Sequence, residues 1–283
     1  MSPPAGGLSG WDLAALAGAG ALAIAYAVGV ARLWRRAGPR RGIRGWAAAA
    51  AAAGWAALLV ALGKPLAPLA DLLFAAHMGQ HELLMLVAAP LLVLGQPLLG
   101  ALWALPAGAR KGVGALLRRP APRRAWHALT HPAAVLGVQA AVLWGWHLQR
   151  PFEAALAHEG LHAVQHATFF GAAALFWWAL VHGRFGRLGY GAGVLVVFVT
   201  AAHSGALGAL LTVAPAPWYP THAARAAAHG VAPVADQQLA GLLMWVPAGI
   251  VLTLLGIALF AAWVGESERR QRAAGAKRWK GRR

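Results

Sequence analysis

What most constrains this chain is an alternation. Seven long apolar stretches are separated by loops that are by turns crowded with arginine and nearly free of it. The stretches are Trp11–Leu33, Trp46–Leu62, Asp71–Leu94, Pro132–Trp146, His158–Val181, Leu188–Val213 and Asp236–Val264. In hydrocarbon every backbone polar group must be satisfied within the segment, which selects helices. Of the residues, 59% are hydrophobic and 12% charged, against about 25% charged in soluble domains. The expectation is an all-α, polytopic membrane protein: seven transmembrane helices in a single domain over 1–283. A short amphipathic helix at about 106–119 and a basic cytoplasmic tail at 265–283 complete it.

The charges orient the bundle. Six Lys or Arg lie in the loop after the first stretch, six after the third, two after the fifth and eight in the tail, leaving only Lys64, Arg150 and Arg225 for the other side. Cytoplasmic loops carry the excess of Lys and Arg, so the N-terminus is expected outside and the C-terminus inside. The net charge of +17 is thereby a matter of topology and contact with membrane lipid, and no nucleic-acid partner is expected. There is no cysteine, which excludes disulfides and thiolate metal sites; soft-metal ligation falls to His, Met and carboxylate.

Histidines gather at one end of this arrangement. His77 and His81 open the third stretch, with Met85 a turn further, and at 3.6 residues per turn the three share one helix face. His147 ends the fourth stretch on the same side. His158, His162 and His166 step down the fifth, and His203 lies roughly ten residues, about 15 Å, inside the sixth. Asp236 and Gln237 open the seventh, with Met244 two turns deeper. Ionisable groups at such depth are costly and mark function. Imidazole and thioether converging from several helices suit copper, with zinc or a haem as the other candidates. His222 and His229, in the loop before the seventh stretch, are expected to be solvated. A hydrogen-bonded polar core without metal is the bland alternative. His158-Glu159-Gly160-Leu161-His162 matches H-E-x-x-H, the signature of zinc-dependent proteases, so a membrane metalloprotease also stands as an alternative.

The sequence resembles the CtaG-type cytochrome c oxidase assembly factors of bacteria. The marks are His77-Met78-Gly79-Gln80-His81 with Gly95-Gln96-Pro97, Trp146-His147 with Pro151-Phe152, and Gln165-His166 running to Phe176-Trp177-Trp178. His203-Ser204-Gly205, Pro217-Trp218-Tyr219 and Asp236-Gln237-Gln238 through Met244-Trp245-Val246-Pro247 complete them. The resemblance implies a multi-pass protein of the bacterial cytoplasmic membrane. It would be no enzyme but a copper-binding metallochaperone that assembles haem-copper oxidase, delivering copper toward its CuB centre. Its partners would be an extracytoplasmic copper donor and the catalytic oxidase subunit. The expected metal ligands are His77, His81, His162, His166 and His203, with Met85, Met244, His158 and His147 as further candidates; Asp236 and Gln237 would orient the imidazoles.

Overall fold

The computed structural model describes residues 8–182 and 185–280; the expectations for Arg184 and for the end of the tail, 281–283, lie outside them. The described residues form helices and no strand. In chain order they are α1 (Gly10–Ala37), α2 (Gly45–Leu62), α3 (Leu66–Leu72), α4 (Phe74–Leu94), α5 (Pro97–Ala104), α6 (Ala107–Leu117) and α7 (Pro120–Leu129). After these come α8 (Pro132–His147), α9 (Gln149–Ala157), α10 (Glu159–Val181), α11 (Phe185–Val213), α12 (Pro220–Ala228) and α13 (Pro233–Lys280).

Among the described residues, six helices are long and apolar enough to cross a membrane: α1, α2, α4, α10, α11 from Tyr190, and α13. The fourth expected stretch does not qualify alone. Helix α8 has 16 residues, about 24 Å at 1.5 Å per residue, against roughly 30 Å of hydrocarbon. It reaches spanning length only together with α7, across a bend of 62°. The bend is written in the sequence: His131 is extended and accepts from the Ala133 amide, and Pro132 starts a new helix.

The third stretch differs from expectation in two ways. Asp71 belongs to the separate α3, because Leu73 is extended (φ −117°, ψ 130°) and the spanning helix begins at Phe74. Within α4, residues Leu83–Ala88 form a π turn. It sits directly ahead of Pro90, which has no amide proton and whose ring displaces the carbonyl four residues back. The π turn holds one residue more than an α turn and so rotates the faces of the later residues of α4.

Helix α13 runs on to Lys280, so the expected tail continues the last helix. It packs along α11 where two glycines meet. A Cβ on Gly241 would stand 2.4 Å from Thr212 Oγ1, and one on Gly208 would stand 2.6 Å from the Trp245 Cβ. Only small residues let two membrane helices approach this closely.

Candidate metal centre

Helices α4 and α10 begin, and α8 and α11 end, at the same end of the bundle. Two histidine pairs, each at i and i+4 on its own helix, face one another there. Ring centroids are 4.4 Å apart for His77 and His81 and 4.3 Å apart for His162 and His166. Across the helices His77 stacks on His162 at 5.3 Å, and His81 meets His166 edge-on at 5.2 Å. His77 and His81 are 0% and 1% exposed. Phe152 lies against His77 and Phe169 against His81, so the walls are apolar.

The nitrogens of this cluster lack partners. Both ring nitrogens of His77 and of His81 are buried without a hydrogen bond, as are Nε2 of His162 and Nε2 of His166. Leaving a buried polar group unpaired costs about 1–3 kcal/mol; of these six atoms two, one each on His77 and His81, are N–H donors in the neutral rings, which leaves up to four lone pairs for a ligand to take. Among the described residues no three His, Asp or Glu side chains already stand in a metal-holding arrangement. The rings lie face to face or edge to face, and coordination requires them to turn within the cluster.

Two more histidines border it, each with one nitrogen occupied and the other free. His147 shares its Nδ1 hydrogen with the Leu143 carbonyl at 2.7 Å, which leaves a buried Nε2. His222 bonds the Ala70 carbonyl through Nε2 at 3.1 Å, leaves Nδ1 free, and sits 5.3 Å from the His77 ring. A backbone carbonyl on one nitrogen, fixing the tautomer and aiming the other, is the usual support of a metal-bound imidazole. The expectation that His222 is solvated is corrected: it is 2% exposed. Burial pushes its pKa down to about 4, the Ala70 hydrogen bond opposing in part, so the ring is neutral and able to ligate. It sits on the buried face of the short α12, with Tyr219 three positions before it and Ala226 four after.

Residues 24–266 match the family described as cytochrome c oxidase caa3 assembly factor (Caa3_CtaG). The chain belongs to this family. No curated protein and no solved structure matches it. The matched region contains every histidine of the cluster, so the assembly-factor family and the buried imidazoles describe the same part of the chain.

Other expected ligands fall elsewhere. His158 is exposed and extended (φ −129°, ψ 107°) ahead of α10 rather than on it. The H-E-x-x-H signature needs both histidines on one helix face. With His158 outside the helix and Glu159 exposed, the protease geometry is not formed. Met85 does not join the rings of His77 and His81: with Glu82 it lines a separate cavity that His203 and Met244 also line.

Asp236 and Gln237 support the site without bonding an imidazole. Asp236 Oδ2 accepts from the Phe74 amide at 2.8 Å and Oδ1 from the Ala75 amide at 3.0 Å. The carboxylate therefore caps the start of α4, satisfying two orphan donors and complementing the helix dipole. His77 comes less than a turn later. Gln237 accepts from the Trp218 amide at 2.6 Å and donates to the Leu211 and Ala216 carbonyls. Tyr219, so held, donates to the His147 carbonyl at 2.8 Å and stacks on Phe152 at 3.9 Å.

Proposed function

We propose that this assembly factor is a copper carrier for haem-copper cytochrome c oxidase and catalyses no reaction itself. It takes copper at His77, His81, His162 and His166, with His222 and His147 at the border, and passes it toward the CuB centre of the catalytic subunit. The observation that carries the reading is the pairing of two i, i+4 histidine rows with unpartnered nitrogens in a dry apolar setting. Neutral imidazoles suit copper, and a cluster that must turn its rings to coordinate suits a cargo that is later released. In this reading α7 and α8 form one bent span, giving seven. The arginine-rich loops then face the cytoplasm, and the cluster lies at the outer face of a bacterial cytoplasmic membrane, open to an extracytoplasmic donor.

The test is copper retention by purified protein beside oxidase assembly in cells. His81→Ala and His166→Ala should each remove most bound copper and leave cells without copper-loaded oxidase. His131→Ala, at the far end of α8, should retain both. Equal loss from all three substitutions would trace the effect to folding and overturn the reading.

A further inference from the structure

Below the histidine cluster, between α4, α8, α10, α11 and α13, lies a cavity of about 60 Å³, room for one ion and a few waters. Glu82, Met85, Gln139, Thr200, His203 and Met244 are among its lining residues. Its polar atoms are as poorly partnered as those of the cluster. Glu82 Oε2, both ring nitrogens of His203 and Thr200 Oγ1 are sealed from solvent with no hydrogen bond.

The donor set is different in kind from the cluster above. It combines two thioethers, an imidazole and one carboxylate. Thioether methionine commonly serves as a flexible filler of apolar cores, yet here two of the chain's 4 methionines open onto one cavity that also holds Glu82 and His203. A carboxylate at this depth in a membrane is costly unless something neutralises it. A proton does so, and a monovalent cation that replaces the proton also leaves no charge over, whereas a divalent one would leave a net positive charge in hydrocarbon. Thioether sulfur selects a soft ion among monovalent ones. The main chain supports the arrangement: the Trp177 indole donates to the Met85 carbonyl at 3.0 Å, within the π turn that carries Met85.

We infer that this cavity is a second copper site, selective for Cu(I), held by Met85, Met244, His203 and Glu82. The inference rests on the copper reading of the protein and deepens it. His81 and Glu82 are consecutive residues, so the helix that carries the cluster also carries the cavity's carboxylate, and cargo has two stations within the bundle. No change of oxidation state is needed, because imidazole also binds Cu(I).

The test is anaerobic titration of the purified full chain with Cu(I) against a chromogenic chelator, with X-ray absorption of the loaded protein. Wild type should bind two Cu(I) per chain with sulfur among the scatterers. The near-isosteric double variant Met85→Leu/Met244→Leu should bind one and lose the sulfur signal. His81→Ala/His166→Ala should also bind one but keep it. Glu82→Gln, which preserves shape and removes the charge, should weaken the sulfur-bearing site by about tenfold or more. Retention of two ions by the methionine variant, or a wild type without sulfur scattering, would overturn the cavity site. A single sulfur-ligated ion indifferent to His81→Ala/His166→Ala would instead sink the cluster and leave the cavity standing.

Discussion

Two sets of buried polar side chains share one end of this bundle and differ in a single respect. Asp236, Gln237 and Tyr219 use their oxygens and nitrogens on backbone groups of α4, of the loop before α12 and of α8. His77, His81, His162 and His166, packed within the same shell, leave six nitrogens with nothing. Both sets are costly to bury, but only the first recovers the cost within the protein. The contrast separates polar groups that hold the fold from polar groups that make no hydrogen bond within it. It predicts opposite responses to substitution.

The largest effect should come from Asp236→Ala. It strips the cap from α4 and leaves the Phe74 and Ala75 amides buried without acceptors, at about 1–3 kcal/mol each. Thermal unfolding in detergent should drop accordingly, and copper should be lost because His77 and His81 ride on the freed helix. Asp236→Asn keeps one acceptor and should cost less. His81→Ala is the mirror experiment. It breaks no hydrogen bond and loses only packing against Phe169 and its neighbouring rings, so the metal-free protein should lose less stability than Asp236→Ala does while copper binding fails. Adding copper should then stabilise wild type against unfolding, by about 2.7 kcal/mol at a hundredfold excess over Kd, and not the variant. Similar destabilisation by Asp236→Ala and His81→Ala would dissolve the distinction between the two sets.

His222 sharpens the boundary between them, since it belongs to both: Nε2 is spent on Ala70 and Nδ1 is free. His222→Gln should preserve folding, as an amide can still meet the carbonyl, and weaken copper binding by about 10–100-fold, the usual cost of losing an orienting or bordering group. Unchanged copper affinity would place His222 wholly with the structural set.

The sequence made the membrane class legible because apolar runs and arginine counts are local properties. The i, i+4 spacing of His77 with His81 and of His162 with His166 likewise survived, since it depends only on α-helical geometry. The features that escaped were decided by tertiary contacts or by backbone irregularity. Met85 reads as part of the His77 stripe, but it lines the cavity of Glu82, His203 and Met244 instead. His158 reads as a third step of its helix, but the helix starts one residue later. Asp236 reads as an imidazole partner because acids beside histidines often are. Its actual partners, the amides of Phe74 and Ala75, are 162 and 161 positions distant and invisible to any local pattern. His222 was hidden by its place in a loop, although the short helix around it repeats buried positions at helical spacing.

The smallest effect belongs to Glu159, and its smallness carries information. A zinc protease would use the glutamate of His158-Glu159-Gly160-Leu161-His162 to take a proton from metal-bound water, so its loss would abolish activity while metal stayed bound. In this protein Glu159 is exposed in the first turn of α10, with His158 outside the helix. Its remaining physical role is a favourable interaction with the dipole of α10, worth about 0.3–1 kcal/mol at an exposed helix start. Glu159→Gln should therefore leave copper content unchanged, lower stability by no more than that, and support assembly of active, copper-loaded oxidase. His166→Ala, two turns along the same helix, should abolish assembly. A Glu159→Gln strain that fails to assemble oxidase with its metal intact would mean that the exposed edge of α10 performs chemistry, and that the buried histidines feed an enzyme rather than a carrier.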